Sequence, residues 1–327
     1  MYRILFIFVF FCYFLFRAPS FALEGVVVEQ AGFDLSAGYR TDQLEWNIAG
    51  DTTGANPNIL SELTWEDIES FQLQSRGWIK FNELPYFKRK SLLLMNLSIG
   101  KIISGDVQDS DYGENNRSGE WSRSINNANE GFMVDISGAW GPSFKFEKVK
   151  SMTITPLIGY GFNMQALSMT DGEQTVSDPL LIPPAFDSPP SLGAIAGLDS
   201  TYTTYWYGPL LGVNIDYKIN DKFSLSSGLE YHLAEYYAQA DWNLRTEFAH
   251  PVSFEHETQG IGIVWTIKSL YSLNERCSLL FDGIIQNWKT DSGTDRTFFS
   301  DESVSVVRLN AVKWKSYALM AGIQYRF

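Results

Sequence analysis

Hydrophobic and polar residues alternate along much of the chain with a period of two. In the stretch LLGVNIDYKIN, one face carries only apolar side chains, namely Leu211, Val213, Ile215, Tyr217 and Ile219. The residues between them are small or polar, and the following NDK contains side chains that favour a tight turn. A second alternating run, FSLSSGLEYHLAEY, comes directly afterwards. The pattern predicts two antiparallel strands joined as a hairpin.

Ten segments of the chain show this alternation. They lie near 32–50, 59–81, 91–110, 131–146, 152–169, 203–219, 222–242, 260–274, 277–290 and 305–327. The connections alternate between mostly short ones and mostly longer, polar ones. The connection over 170–202 is rich in proline, which forbids a continuous ladder: Pro179, Pro183, Pro184, Pro189 and Pro190. An even number of strands with short turns at one end and long loops at the other is typical of a transmembrane β-barrel.

The final strand has the length and the apolar face that a bilayer requires. The eleven residues from Tyr317 to Phe327 match the roughly 9–11 that cross a bilayer as a tilted strand. Lys313 and Lys315 share the outward phase just above, at headgroup level, and so avoid the roughly 2–4 kcal/mol cost of a charge in hydrocarbon. A terminal aromatic residue such as Phe327 is typical of outer-membrane barrels, whose assembly machinery reads it. The sequence therefore predicts an all-β, ten-stranded antiparallel transmembrane β-barrel with long extracellular loops.

A water-soluble β-sandwich is the alternative, because its strands alternate too, with their apolar faces pointing inward. A sandwich requires no asymmetry of its connections, so the observed asymmetry favours the barrel. Many segments run to about 20 residues, twice the span, so a wall of strands should project outside and form a cleft at the extracellular mouth. A ten-stranded barrel is only slightly wider than the eight-stranded kind, whose interior side chains fill, so a broad diffusion pore is not expected.

The first residues have the pattern of a secretory leader. Arg3 precedes the apolar run ILFIFVFFCYFLF, and Ser20 and Ala22 occupy the −3 and −1 positions of a cleavage site. The run is shorter than the roughly 18–20 residues of a membrane-spanning helix. We therefore predict a signal peptide over 1–22, export, and a mature outer-membrane β-barrel over 23–327 in a double-membraned bacterium.

Composition and charge narrow the functional classes. The chain carries 38 acidic and 25 basic residues, an acidic excess that argues against nucleic acid as a partner. Only Cys277 remains once the leader is lost, so no internal disulfide can form. CxxC and Cys/His metal motifs are absent from the sequence, so no metal or organic cofactor is implied.

Acidic residues mark two places where strands should meet the outer loops. In GDVQDSDYGENN, Asp109 and Asp111 share one strand face, and their closeness should raise one pKa if both are partly buried. In YYAQADWNLRTEF, strict alternation from Phe223 points Asp241 outward, whereas a bulge near Tyr236–Tyr237 would turn it inward. With that bulge, the two acidic places face each other across the mouth. There they could bind a cationic peptide or position a water.

Several motifs resemble the omptins, a family of ten-stranded outer-membrane proteases. SELTW opens the second strand much as omptins open theirs, VQDSDY resembles their Asp-x-Asp segment, and GEWS resembles the piece soon after it. The resemblance implies an aspartic-type endopeptidase with Asp109, Asp111 and Asp241 as catalytic residues that hold a water. The acidic mouth would then favour substrates with basic residues.

The sequence departs from the omptin pattern at the general base. Two residues beyond the catalytic Asp, omptins have the histidine that activates water, and this chain has Asn243. An amide cannot take a proton near neutral pH, so the base would have to be His256 or His250, farther along the chain. The acidic and basic residues with which omptins contact lipopolysaccharide are also missing around IGYGFNMQ.

Two functions remain for this barrel. One is an omptin-like endopeptidase that cleaves near basic residues. The other, which Asn243 favours, is a non-enzymatic barrel, either a structural or adhesive surface protein or a narrow pore. Expected partners are outer-membrane lipid or lipopolysaccharide, cationic peptides or proteins at the extracellular mouth, and the outer-membrane assembly machinery through Phe327.

The remaining charged residues have structural interpretations. His256, between two glutamates, is expected to be a loop residue, and His232 is expected to join a polar network in the lumen. Four further lumen residues are expected to form ion pairs that plug the barrel: Asp216, Lys218, Glu230 and Arg326.

Overall fold

The computed structural model describes residues 27–82, 89–146, 151–182 and 189–327. The predicted signal peptide over 1–22 lies outside these residues, as do Pro183 and Pro184. None of the described residues belongs to a helix long and apolar enough to cross a membrane. The strands are β1 Val28–Ile48, β2 Ser61–Phe81, β3 Ser91–Glu114, β4 Ser118–Asn127, β5 Gly131–Pro142, β6 Phe144–Lys145, β7 Met152–Ser177, β8 Gly193–Lys218, β9 Phe223–Asp241, β10 Phe254–Ser272, β11 Cys277–Thr290, β12 Gly293–Phe298 and β13 Val304–Arg326. One 3-10 turn, Asn115–Arg117, joins β3 to β4.

The strands close into a ring of ten antiparallel positions. β1 pairs with both β2 and β13, which closes the ring and leaves no open edge there. β4 and β5 share the fourth position, because both lie between β3 and β7. β11 and β12 share the ninth position, between β10 and β13. All ten predicted segments are strands of this ring, so the predicted barrel is confirmed.

Much of the chain predicted as long loop is strand instead. β3 continues to Glu114, β4 follows it, β7 continues to Ser177, and β8 already begins at Gly193, before the predicted start at 203. Most of these outer parts have polar side chains on both faces, so the apolar alternation that identified the strands fades there. The prediction that the strands rise above the membrane as a wall is therefore correct, and the wall contains more of the chain than expected.

Exposed hydrophobic side chains form a band around the outside of the ring. On β13 the outward phase runs through Tyr317, Leu319 and Ile323, while the inward Ala318 and Met320 are buried. The same exposed phase appears on neighbouring strands, with Leu35, Tyr39, Phe71, Leu73, Ile158, Tyr160, Leu211, Leu229, Leu233, Ile263, Trp265 and Phe281. A large apolar surface of this kind is stable against hydrocarbon, so lipid covers this band.

We expect a charge in this band to destabilise the barrel. Leu319→Arg should lower the free energy of unfolding in lipid bilayers by about 2–4 kcal/mol, because the guanidinium would lie in hydrocarbon. Val306→Arg is the matched control, because Val306 is exposed on the same strand above the band and so faces water. Denaturant unfolding of both variants should separate them. Equal stabilities would contradict the placement of the band.

A layer of aromatic side chains closes the lumen near its outer end. Trp65 stacks on Tyr202 at 5.2 Å between ring centroids, and Trp288 stacks on Trp314 at 5.3 Å. Trp206 contacts both groups of rings through Tyr236 at 4.5 Å and Trp288 at 5.6 Å. We call this set the aromatic layer: Trp46, Trp65, Tyr202, Trp206, Tyr236, Trp288 and Trp314. At most 2% of each of these side chains is exposed, so the layer leaves no wide passage.

The ion pairs that plug the lumen are not those predicted. Arg40 donates to both oxygens of Asp42, at 2.7 and 2.9 Å, and to Asp135 at 2.6 Å. Lys268 pairs with Asp34 at 2.9 Å, and Arg76 with Asp282 at 3.6 Å. Arg40 and Asp42 share β1, whereas each of the other pairs joins two strands that are not neighbours in the ring, a proximity that the alternation along one strand does not reveal.

The four residues predicted to pair with one another have other neighbours. Lys218 pairs with Asp221 in the adjoining turn, Asp216 accepts a hydrogen bond from Ser226, and Arg326 donates to Gln324 and Ser278. Glu230 lies 3.0 Å from Nε2 of His232, which is buried in the lumen as predicted. These residues do not form the predicted ion pairs because several of them line the open end of the barrel, where water competes for the charges.

Candidate functional site

Asp109 and Asp111 lie together on the inner face of the wall, at the extracellular mouth. In the register of β2 and β3, Asp109 lies opposite Leu63 and Asp111 opposite Ser61. Leu63 is buried in the lumen, and paired residues share a face, so both carboxylates point inward. On the other side β4 places Ser124 beside Asp109 and Ser122 beside Asp111. The two carboxylates therefore share one face of β3, as their spacing in the sequence predicts.

Burial changes the protonation of this carboxylate pair. Burial, followed by the nearby charge of Asp111, raises the pKa of Asp109 well above its ordinary value. Burial also raises the pKa of Asp111 to about 6. The positive charge of Arg245, in the connection between β9 and β10, lowers both pKa values and so opposes the effect of burial. The mouth thus holds two neighbouring carboxyl groups whose pKa values are both raised, with the cation of Arg245 near them.

Replacing Arg245 should raise both of these pKa values further. In Arg245→Gln the opposing positive charge is lost, so carboxyl NMR should find Asp109 and Asp111 titrating at higher pH than in the unchanged protein. Folded-state pKa values above the unfolded value near 4 mean that stability falls as pH rises through the titration, and the loss should extend to higher pH in the variant. Arg117→Gln, which removes an exposed cation paired with Glu62, is the control. Unchanged titration in Arg245→Gln would contradict this arrangement.

Asp241 lies on the outer face of the wall. The predicted bulge near Tyr236–Tyr237 is wrong: β9 keeps one continuous register with both β8 and β10 through these residues. Tyr236 and Ala240 therefore stay in the lumen, and Asp241 lies beside the exposed Thr201 on the opposite face. Strict alternation from Phe223 thus gives the correct direction.

His250 reaches Asp241 on this outer face. Its Nδ1 lies 2.6 Å from Oδ1 of Asp241, and both side chains are roughly one-third exposed, at 39% and 32%. The pair is therefore an imidazole–carboxylate dyad, but on the other side of the sheet from Asp109 and Asp111. The predicted site residues thus form two pairs, Asp109 with Asp111 and Asp241 with His250, and the wall separates one pair from the other.

Asn243, at the position of the omptin general base, makes hydrogen bonds that are structural. Its side-chain nitrogen donates to the Gly197 carbonyl oxygen at 2.7 Å, and its oxygen accepts from the Asp199 amide and the Ser200 hydroxyl, at 3.0 and 3.1 Å. These bonds attach the start of the β9–β10 connection to the outer part of β8. The hydrogen bonds of the Asn243 side chain therefore hold the outer part of β8 in place.

His256 is a lumen residue in β10 rather than a loop residue. Its Nδ1 contacts the Tyr202 hydroxyl at 2.8 Å and its Nε2 contacts Asp295 at 3.0 Å, while Tyr202 also bonds Tyr236 at 2.7 Å. The imidazole is fully buried, and Asp241 lies on the opposite face of the adjoining strand. The sequence does carry a signal for this inward position: Phe254 and His256 alternate with Glu255 and Glu257. The predicted strand started at 260 and so left these residues in a loop.

The described residues contain no cluster of three or more His, Cys, Asp or Glu side chains that could hold a metal ion. The candidate chemistry of the mouth therefore consists of the carboxylate pair inside, the dyad outside, and Arg245 next to the pair.

The closed ring, the lipid-facing band and the strand wall define an outer-membrane β-barrel of the Gram-negative type. The profile of the family described as "Pom: Protochlamydia outer membrane protein" matches residues 34–327, and the chain belongs to this family. A comparison with curated proteins found no match.

A solved outer-membrane barrel shares the fold. The outer membrane protease OmpT from Escherichia coli superposes with a TM-score of 0.69 at 11% sequence identity, over 91% of this chain and 97% of that one. This likeness confirms the fold that the omptin resemblance implied. At 11% identity it shows the fold alone. The translocator domain of the autotransporter NalP from Neisseria meningitidis has a TM-score of 0.31 at 9% identity, over 90% of this chain and 88% of that one.

Proposed function

We propose that this protein is a non-enzymatic surface barrel of the outer membrane, with a lumen closed by the aromatic layer. One observation carries the proposal. Asp109 and Asp111 lie on the inner face of the wall, whereas Asp241 and His250 lie on the outer face. A hydrolytic water must be within hydrogen-bond reach of its base and of the groups that orient it, and the sheet separates these two sets.

The groups near the carboxylate pair also favour binding over catalysis. Oδ1 of Asp109 is buried and accepts no hydrogen bond from the described residues. The nearby Arg245 donates to Glu247 and lies 4.9 Å from the ring centroid of Phe248, so its own loop holds it in place. An acidic mouth that already attracts one guanidinium would attract cationic peptides or proteins from outside, which we propose as its partners.

Two further partners follow from the barrel surface. Outer-membrane lipid, including lipopolysaccharide, would cover the apolar band. At the other end, the backbone amide of Phe327 donates to the Ala31 carbonyl oxygen at 2.9 Å, and its side chain remains 58% exposed. We propose that the assembly machinery recognises this exposed terminal ring.

Peptide cleavage tests the absence of catalysis. Purified protein, refolded with lipopolysaccharide, should leave peptides with paired basic residues intact, under conditions in which a refolded omptin cleaves them. Binding of the same peptides should be detectable and should weaken in Asp109→Asn/Asp111→Asn. Cleavage that survives purification and disappears in a single active-site variant would overturn the proposal.

An omptin-like endopeptidase is the second candidate, and the Asp241–His250 dyad favours it. The imidazole lies within hydrogen-bond distance of the carboxylate that the omptin resemblance designates as catalytic. In this case Asp241→Ala and His250→Ala should both abolish cleavage. Asp301→Ala, which removes an exposed carboxylate from the connection between β12 and β13, should leave it unchanged.

A further inference from the structure

A cavity lies at the periplasmic end of the barrel, away from the residues of the mouth. It has a volume of about 410 Å³ and is bordered by the β8–β9 turn and by the ends of β2 and β13. This volume lies in the range of pockets that hold small ligands. Six basic side chains line it: Arg76, Lys80, Lys218, Lys222, Lys268 and Arg326.

Three of these cations have no carboxylate of their own. Arg76, Lys218 and Lys268 are paired with Asp282, Asp221 and Asp34. Lys80, Lys222 and Arg326 have no ion pair with any described carboxylate, and Arg326 donates only to neutral oxygens of Gln324 and Ser278. In a chain with 38 acidic and 25 basic residues, three unpaired cations around one cavity form a local exception to the acidic surface.

The unpaired cations approach the cavity from two sides. Lys80 and Trp78 of β2 lie opposite Gln30 and Gly32 of β1, and Arg326 lies opposite Gly32 from the other neighbour, β13. The Lys80 ammonium lies 5.5 Å from the centroid of a Trp78 ring, which also borders the cavity. A side chain at Gly32 would collide with that ring at about 2.5 Å, so the glycine leaves room for Trp78 in the cavity wall.

Lys222 borders the cavity from the β8–β9 turn, far around the ring from β2 and β13. Hydroxyl and amide groups fill the lining between the cations, among them Ser224, Ser272, Thr153, Thr266, Asn214 and Asn220. The carboxylates of Asp216 and Glu230 also border the cavity and can accept hydrogen bonds from ligand hydroxyl groups. A suitable ligand therefore combines an anionic group with several hydroxyl groups.

We propose that this cavity binds a small anionic carbohydrate that enters from the periplasm. Lys80 and Arg326 contact its anionic group from one wall, with the planar guanidinium suited to two oxygens of a phosphate or carboxylate. Lys222 closes over it from the turn, and the hydroxyl and amide lining holds the sugar hydroxyls. The site does not rest on the proposed function of the mouth, because the aromatic layer separates the two.

Calorimetry on the full mature protein, refolded in an uncharged detergent at low salt, tests the proposal with glucose 6-phosphate as the probe. Glucose 6-phosphate should bind, inorganic phosphate should bind more weakly, and uncharged glucose should not bind measurably. Added sodium chloride should weaken the binding of both anions, because salt screens these exposed cations.

Charge-matched variants locate the site. Lys80→Gln/Arg326→Gln should raise the dissociation constant for glucose 6-phosphate by about tenfold or more, a free-energy change of about 1.4 kcal/mol per factor of ten. Lys222→Gln, an exposed turn substitution that leaves every strand intact, should weaken binding by itself. Lys313→Gln/Lys315→Gln removes the same charge from the outer wall and should have no effect. Absence of glucose 6-phosphate binding, or an equal loss in the outer-wall control, would overturn the proposal.

Discussion

Replacing Trp288 and Trp314 together by alanine is expected to raise the single-channel conductance of the barrel by about tenfold or more, because the passage between polar cavities would open. Below the aromatic layer, the periplasmic cavity is followed by a second one of about 80 Å³, which shares Arg76 and Glu230 with the first and is bordered by Trp288. The two indoles stack at 5.3 Å and block the continuation of this path toward the mouth. Planar-bilayer recording should therefore find little conductance in the unchanged protein.

Trp265→Ala provides the control for this measurement. Trp265 is on β10 and is 43% exposed, on the lipid-facing side, so its removal takes an indole from the outside of the same wall. Its conductance should equal that of the unchanged protein. Wide channels in the unchanged protein, or equal conductance in all three, would contradict the closed lumen and favour a pore.

Replacing Arg40 by alanine should lower the free energy of unfolding by about 3–5 kcal/mol, because two buried carboxylates would lose their cation. Arg40 is 1% exposed and makes three hydrogen bonds, to both oxygens of Asp42 and to Asp135. Asp42 also accepts from the Trp314 indole at 2.6 Å, so the ion pairs support the aromatic layer. Denaturant unfolding of the refolded barrel measures the difference.

Two comparisons separate lost charge pairing from lost packing. Arg117→Ala breaks the ion pair with Glu62, in which 49% of the arginine side chain is exposed, and should cost less than about 1 kcal/mol. Arg40→Met/Asp42→Asn/Asp135→Asn removes the buried charges together and should recover much of the stability lost in Arg40→Ala. If Arg40→Ala is no more harmful than Arg117→Ala, the lumen network does not stabilise the barrel.

The sequence predicts the lipid-facing part of the fold well, because hydrocarbon imposes a strict rule on every second residue. The alternation from Leu211 to Ile219 and from Tyr317 to Phe327 follows from that rule. Outside the membrane water reaches both faces, the rule weakens, and β4 and β12 were therefore hidden in segments that looked like loops.

The candidate site was less predictable, because it depends on neighbours across the ring. The pairing of Asp109 with Asp111 follows from their spacing along one strand. The contact of Asp241 with His250 and that of His256 with Asp295 depend on how a connection folds and which strands are adjacent. For Asp241, strict alternation predicts the correct face, and the bulge near Tyr236–Tyr237, which the outward phase of Glu235 and Gln239 suggested, predicts the wrong one.

A spin-label scan along β13 tests the central claim most directly: lipid outside the ring, a closed lumen inside. In bilayers, labels at 317, 319, 321 and 323 should be accessible to oxygen dissolved in lipid, while labels at 316, 318, 320 and 322 should be shielded from oxygen and from a water-soluble nickel complex. Asn310 is an extra residue in the pairing with β1, so the phase reverses above it, and 304 and 306 should meet the nickel complex. No alternation, or inward labels open to the nickel complex, would contradict the account.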